Sequence, residues 1–419
     1  MGSTSRNLRQ GIDSLRAIAP WAAVGAACAV PLTIGASMAI DLLQKRDREQ
    51  REAPRPGTFH ADVEDSQLSI FTDGETLYED MLAEIASATE SIQMETFIWK
   101  NDEIGQKFVD AFNAAAERGV VVHLIYDGFA NLTIPHSFYA QLSERIKVLR
   151  LPTVARKFWK GPMRFSGLNH SKILVIDNRV AYVGGFNIGS LYARHWRDTH
   201  LKAAGPGTWG LRQAIAEVWN QYHDDIDDQI PWVAPTAWES KLRVSANQPV
   251  QLIYPIRSMY INAFERAQER IWLTTPYFIP DQQLLRSLIE AAERGVDVRV
   301  MVPQESNHIL GDSLSRGFFE QMVRSKVTVL LYTASMIHAK ISTVDGIWST
   351  VGTANIDRLS LTFNYETNVE IIDDKFASEM EKVFLKDAEH SKELGRDWLD
   401  RHPLTQVIEF ALRPMRPFL

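Results

Sequence analysis

Short, nearly uninterrupted apolar runs recur along this chain, separated by amphipathic stretches of helical length. Ser91–Trp99, Val120–Tyr126, Ile173–Ile176 and Ala181–Val183 form one set; Arg270–Ile279, Val296–Val302, Ile341–Val344 and Ser349–Val351 form a second. Continuous apolar runs of this length suit strands covered on both faces. Helical stretches between them suit α/β units on a mixed sheet. The hexapeptide Ala-Ala-Glu-Arg-Gly-Val closes a helical stretch at residues 115–120 and another at 291–296. Gly119 and Gly295 fall where a helix C-terminal cap belongs. Each half therefore predicts strand, helix, strand and then a strand pair, and the repetition predicts an internal duplication.

The pattern changes at the N-terminus. Ala17 to Ile40 are 24 uncharged, mostly apolar residues between Arg16 and Asp41. As a helix they span about 36 Å, against about 30 Å for a bilayer core. We expect a short segment 1–16 and a transmembrane helix over 17–43, kinked at Pro31. A cleaved signal peptide and a buried helix are the alternatives. Three basic residues precede the run and five follow closely, which places the C-terminal bulk in the cytoplasm. Gln44–Pro56 is charged and contains proline, as a linker does, here assigned to 44–60. Asp224–Pro235, with four aspartates and two prolines, divides the remainder into halves 61–235 and 236–419. Each is an ordinary domain in size.

The duplication carries chemistry. His170-Ser-Lys172 runs on to Asp177, and His338-Ala-Lys340 runs on to Asp345, both reading His-x-Lys-x-x-x-x-Asp. Asn187 and Asn355 follow their histidines by 17 residues, and Asp198 and Glu366 by 28. One offset, 168, relates every pair, Gly184 and Gly352 included. One histidine cannot be nucleophile and acid in the same step, but two can divide the work. Neutral imidazole is a usable nucleophile and base near neutral pH, and its protonated partner can donate to a leaving oxygen. Lysines and asparagines around them suit an anion with two non-bridging oxygens, a phosphodiester. The carboxylates at +28 are candidates to hold each imidazole by the nitrogen not used in chemistry. The candidate catalytic set is His170, Lys172, Asp177, His338, Lys340 and Asp345, supported by Asn187, Asn355, Asp198 and Glu366. No metal or other cofactor is called for. Lysines two positions from the histidines would repel a cation, which makes a metal site the weaker reading.

Charge narrows the partners. Residues 1–55 carry eight basic and five acidic side chains; the whole chain carries −7, so the rest carries −10. An acidic body disfavours nucleic acid as partner. Arg156, Lys157, Lys160 and Arg164, interleaved with Phe158, Trp159 and Phe165, form a basic-aromatic stretch of the kind a membrane interface favours. Val407, Ile408, Phe410, Ala411 and Leu412, with Phe418 and Leu419 at the end, make an apolar tail that either lies in that interface or packs on the body. Cys28 is the only cysteine, so no disulfide framework is possible.

At the doubled motif the chain resembles the phospholipase D superfamily, and within it the bacterial cardiolipin synthases. The closer likeness lies in Gly184-Gly-Phe-Asn187, Trp196-Arg-Asp-Thr-His200, Thr275-Pro-Tyr-Phe-Ile-Pro-Asp281, Gly352-Thr-Ala-Asn355 and Asn364-Tyr-Glu366, and in the C-terminal segment from Arg413. It spans residues 61 to 419. The resemblance implies two tandem α/β/α halves, each with a mixed sheet, sharing one active site. It implies transfer of a phosphatidyl group between two phosphatidylglycerols through a phosphatidyl-histidine, giving cardiolipin and glycerol. His170 would be the nucleophile and His338 the acid and then base. Lys172, Lys340, Asn187 and Asn355 would bind phosphate oxygens, and Asp177 and Asp345 would buttress the loop. The protein is then expected at a bacterial inner membrane as a single-pass protein. A phospholipase releasing phosphatidic acid and a non-catalytic lipid-binding protein are the alternative readings. The chain departs from the synthases at Ser171, often arginine there, and at Tyr254–Tyr260, where a Gly-Pro turn is expected.

Overall fold

The computed structural model describes residues 51–152, 167–235, 241–395 and 398. The expected membrane span, the basic-aromatic stretch and the apolar tail lie outside them. Among the described residues no helix is long and apolar enough to cross a membrane.

The first half runs β1 (Thr58–Val63), β2 (Ser66–Phe71), α1 (Gly74–Ser87), β3 (Ser91–Thr96), α2 (Glu103–Glu117) and β4 (Val121–Asp127). It continues with α3 (His136–Tyr139), β5 (Lys147–Leu151), β6 (Ile173–Ile176), β7 (Val180–Gly184), α4 (Ser190–His195), β8 (Trp196–Arg197), β9 (His200–Ala204) and α5 (Thr208–Gln221). The second half opens with β10 (Leu242–Ala246), α6 (Pro255–Arg266), β11 (Arg270–Thr274), β12 (Phe278–Ile279), α7 (Gln282–Glu293), β13 (Asp297–Pro303) and α8 (Ile309–Arg324). Then come β14 (Thr328–Tyr332), β15 (Met336–Ile337), β16 (Ile341–Val344), β17 (Trp348–Gly352), β18 (Ile356–Asp357), α9 (Arg358–Thr362), β19 (Thr367–Ile372), α10 (Asp374–Ala388) and β20 (Ser391–Glu393). Two eight-stranded sheets result, ordered β1-β2-β9-β7-β6-β3-β4-β5 and β10-β19-β17-β16-β11-β13-β14-β20. Both are mixed: β3, β4 and β5 are parallel, as are β11, β13 and β14, while the motif strands β6 and β16 run antiparallel to their neighbours.

The duplicated sequence folds the same way twice because its local signals are the same. Asp102 caps α2 by accepting from the Ile104 and Gly105 amides, and Asp281 caps α7 through Gln283 and Leu284. Both helices end in a Schellman closure. Val120 N donates to Ala115 O and Gly119 N to Ala116 O; Val296 and Gly295 repeat this on Ala291 and Ala292, all four at 3.1 Å. Gly119 and Gly295 take φ of +92° and +95° there, which a side chain would resist. The apolar run 270–279 is divided: β11 ends at Thr274, and Phe278–Ile279 forms a separate short strand on β18.

The halves are not separate globules. One apolar cluster takes Ile173, Val183 and Leu201 from the first sheet with Ile341, Val351 and Val369 from the second. Trp219 of α5 and Phe384 of α10 join it. The sequence break at 224–235 is thus a joint in topology, whereas the packing is continuous across it.

Candidate active site

The histidines enter the site at matching points, just before β6 and just before β16. Each is fixed by backbone of the opposite half. Asn169 bridges Tyr365 and Ile337 pairs with Arg197, both in parallel. His170 N donates to Tyr365 O at 3.0 Å, and His338 N to Arg197 O at 2.7 Å. Tyr365 and Arg197 immediately precede Glu366 and Asp198, so the two motif strands exchange carboxylates. His170 Nδ1 lies 2.9 Å from Glu366 Oε1, and His338 Nδ1 lies 2.6 Å from Asp198 Oδ2. The structure pairs them crosswise, each carboxylate with the histidine of the other half. The reason is geometric, since β7 or β17 intervenes between motif strand and carboxylate within a half.

All four groups are buried. Burial, opposed by Glu366, holds the His170 imidazolium below its usual pKa. Burial and the cations of Lys340 and Lys172 push His338 well below. Both rings are neutral near pH 7, and with Nδ1 turned to a carboxylate each presents Nε2 for chemistry. Lys172 and Lys340 are also buried, and burial brings their pKa values down to about 7 and about 8. Lys172 Nζ donates to His170 O at 2.6 Å, and Lys340 Nζ to His338 O. Lys340 Nζ also lies 2.8 Å from His338 Nδ1. A ring that gives its Nδ1 proton to Asp198 cannot accept there, so we assign the donation of Lys340 to the carbonyl. Aromatic faces complete the walls, with Phe97 at 4.7 Å from the His170 ring and Trp196 at 4.8 Å from that of His338.

Asn187 and Asn355 are buried at the parallel contacts between strand ends. Asn187 Oδ1 accepts from Ile98 N at 3.2 Å, which leaves its amide hydrogens to offer. Asn355 Oδ1 is buried with no partner among the described residues. Asp177 and Asp345, grouped with the catalytic set on the motif, do not reach the histidines. They close the hairpins at the far ends of β6 and β16, about 16 Å along the strand from the lysines. Asp177 accepts the amides of Thr89, Glu90 and Ser91, and Asp345 those of Gln268, Glu269 and Arg270. These bonds tie each hairpin turn to the chain that enters β3 or β11.

Several supporting groups escaped the sequence reading. Arg197 and Asp387 form a fully buried bidentate pair at 2.8 and 2.7 Å. Arg197 Nη1 also reaches Asp198 O, so α10 of one half steadies the carboxylate loop of the other. Nothing local marks Asp387, because its partner lies 190 residues away. Gly185 is more legible: a Cβ there would stand 2.0 Å from Asp198 Oδ1, so the glycine makes room for the carboxylate. Thr353 Oγ1 donates to Glu366 in the other pair.

Known proteins resolve what family this geometry belongs to. The family described as cardiolipin synthase, PLD-like domain, matches residues 81–221 and 260–388, both halves and both motifs. This chain belongs to that family. The major cardiolipin synthase ClsA of Bacillus subtilis is 30% identical over 372 residues, covering 85% of this chain and 76% of that protein. A cardiolipin synthase of Clostridium perfringens is 31% identical over 77% of this chain and 70% of its own length. Among solved structures, phosphatidylserine synthase of Haemophilus influenzae shares the fold with a TM-score of 0.64 at 15% identity, over 90% of this chain and all of that one.

Proposed function

We propose that the protein is a membrane-associated phosphatidyltransferase that makes cardiolipin from two phosphatidylglycerols. The observation that carries the reading is the crossed pairing of each histidine with the carboxylate of the other half, because it joins the two sets into one centre. The phosphodiester of the first lipid is held by Lys172, Lys340, Asn187 and Asn355. His170 Nε2 attacks phosphorus, the bond from phosphorus to the glycerol oxygen breaks, and His338 gives that oxygen a proton. Both imidazoles are neutral in the empty site, so His338 acquires its proton together with the lipid phosphate, whose negative charge offsets the two lysines. A hydroxyl of the second phosphatidylglycerol then gives its proton to His338. Its oxygen attacks phosphorus, the bond from phosphorus to His170 breaks, and cardiolipin leaves. Glu366 and Asp198 hold the rings and stabilise whichever is protonated.

The test is to incubate the full chain in vesicles with phosphatidylglycerol alone and read all products by mass spectrometry. Cardiolipin with an equal amount of glycerol is expected. Phosphatidic acid without cardiolipin would make water the acceptor and the protein a phospholipase. No product would favour a binding role.

A further inference from the structure

The surroundings of the two histidines differ at one matched place. Ile98 and Tyr277 occupy equivalent positions, each just before the short strand contact that carries Asn187 or Asn355. In the first half that contact is the Trp99–Ile188 bridge; in the second it is Phe278–Ile356. The loop after β4 spends its one carboxamide, Asn131, on backbone at Phe97, Trp99 and Asp127. It turns Phe129 and Leu132 outward, 45% and 58% exposed.

The second half is polar at the same place. The loop after β13 brings Asn307 and His308 to Tyr277. The Tyr277 hydroxyl bonds the Asn307 carboxamide oxygen, and its ring lies 5.8 Å from that of His308. Gly311 leaves space beneath both, since a Cβ there would meet the Tyr277 ring at 3.2 Å. Thr275 Oγ1 takes the amide of Ile356, which sets the Tyr277 segment beside Asn355. Asn355 in turn keeps a buried carbonyl oxygen with no partner among the described residues. An unused acceptor needs a donor, and a phosphate oxygen is not one; an alcohol hydroxyl is. A cleft of about 420 Å³, lined by Pro276, Gln304, Asp312 and Arg316 among others, adjoins the same loop.

We propose that Tyr277, Asn307, His308 and the Asn355 carbonyl form an alcohol subsite beside His338, shaped for a vicinal diol. It would bind the glycerol headgroup both as it leaves the first lipid and as that of the second lipid enters. The proposal rests on the phosphatidyl-transfer reading above and adds which side of the centre selects the alcohol and by which groups.

The test separates the two. The full chain is given dioleoylphosphatidyl-p-nitrophenol in detergent micelles, whose leaving group needs no diol subsite. Glycerol and propan-1-ol compete as acceptors at equal concentration. Wild type is expected to form phosphatidylglycerol over phosphatidylpropanol. Tyr277→Phe and His308→Gln are each expected to reduce that ratio about fivefold, the scale of one lost hydrogen bond. The ratio is independent of total turnover, so a damaged variant still reports. Equal use of the two alcohols by wild type, or wild-type ratios in both variants, would overturn the subsite. Absence of p-nitrophenolate release from wild type would instead overturn phosphatidyl transfer itself.

Discussion

His170 and His338 occupy one position in a duplicated fold, with the same backbone anchor and the same kind of carboxylate partner. Their electrostatics nevertheless differ. Around His170, burial and the cations of Lys172 and Lys340 lower the pKa and Glu366 opposes them; around His338, burial, Lys340 and Lys172 lower it further. Their walls differ as well, Phe97 beside the His170 ring against Trp196 beside that of His338. Duplication thus supplied two equivalent histidines, and divergence of neighbours made them unequal. The depression is the deeper at His338, so its part as proton donor depends on the charge that the lipid phosphate brings.

The largest expected effect tests this division directly. His170→Ala and His338→Ala should each reduce cardiolipin formation on the order of 10⁴-fold or more, because the two act as a unit. Acid-quenched wild-type enzyme should carry the phosphatidyl group on His170, located by peptide mass spectrometry; an adduct on His338 would exchange the two roles. Asp198→Asn and Glu366→Gln should follow, at about 10²–10⁴-fold, since an amide fixes the wrong tautomer. If the crossed pairing operates, Glu366→Gln impairs adduct formation more than Asp198→Asn does. The reverse order would mean that each histidine answers to its own half.

The buried Arg197–Asp387 pair ties the His338 side to α10. Asp387→Ala would strand a guanidinium with no solvent and is expected to cost about 3–5 kcal/mol in denaturant unfolding. A change below about 1 kcal/mol would show that the arginine finds another partner.

Acidity provides a gentler probe. A bound phosphodiester favours charged lysines, and in the empty site Lys172 and Lys340 release protons at about 7 and about 8. Binding of inorganic phosphate should therefore weaken as pH rises from 7 to 9 and take up protons within that range. Calorimetry in two buffers of different ionisation enthalpy measures the uptake; none would place the lysines' titration elsewhere. The sign for folding is opposite. Lysines whose pKa is depressed on folding penalise the empty protein most below pH 7, and the penalty fades as pH approaches the unfolded value near 10.4.

The duplication, four of the eight strands of each sheet and the His-Lys pairs were legible in the sequence, because caps, apolar runs and motif spacing are local and occur twice. Asp281 and Gly295 signal α7 regardless of what packs on it. What was not legible depends on the halves meeting. The exchange of Asp198 and Glu366, the reach of Asp387 to Arg197 and the approach of His308 to Tyr277 all follow from chain crossings that no spacing encodes. Gly185 lies between these cases, visible as a glycine pair yet explicable only once Asp198 stands above it.

The two motif aspartates set the lower end of the scale, and here the halves should behave alike. Asp177 and Asn178 have φ of +53° and +51°, and Asp345 and Gly346 have +54° and +65°, the conformation of a type I′ hairpin turn. The aspartate tolerates that conformation and uses both carboxylate oxygens on the amides that open β3 or β11. An asparagine keeps the turn and loses the charge, so Asp177→Asn and Asp345→Asn should each cost about 1–2 kcal/mol of stability. Activity per folded molecule should stay within about threefold, since neither side chain reaches phosphate. Urea unfolding followed by assay at matched folded fraction distinguishes this from a catalytic role. A loss near that of the histidines at unchanged stability would return the aspartates to the active site, and a loss confined to one half would extend the inequality of the histidines to their turns.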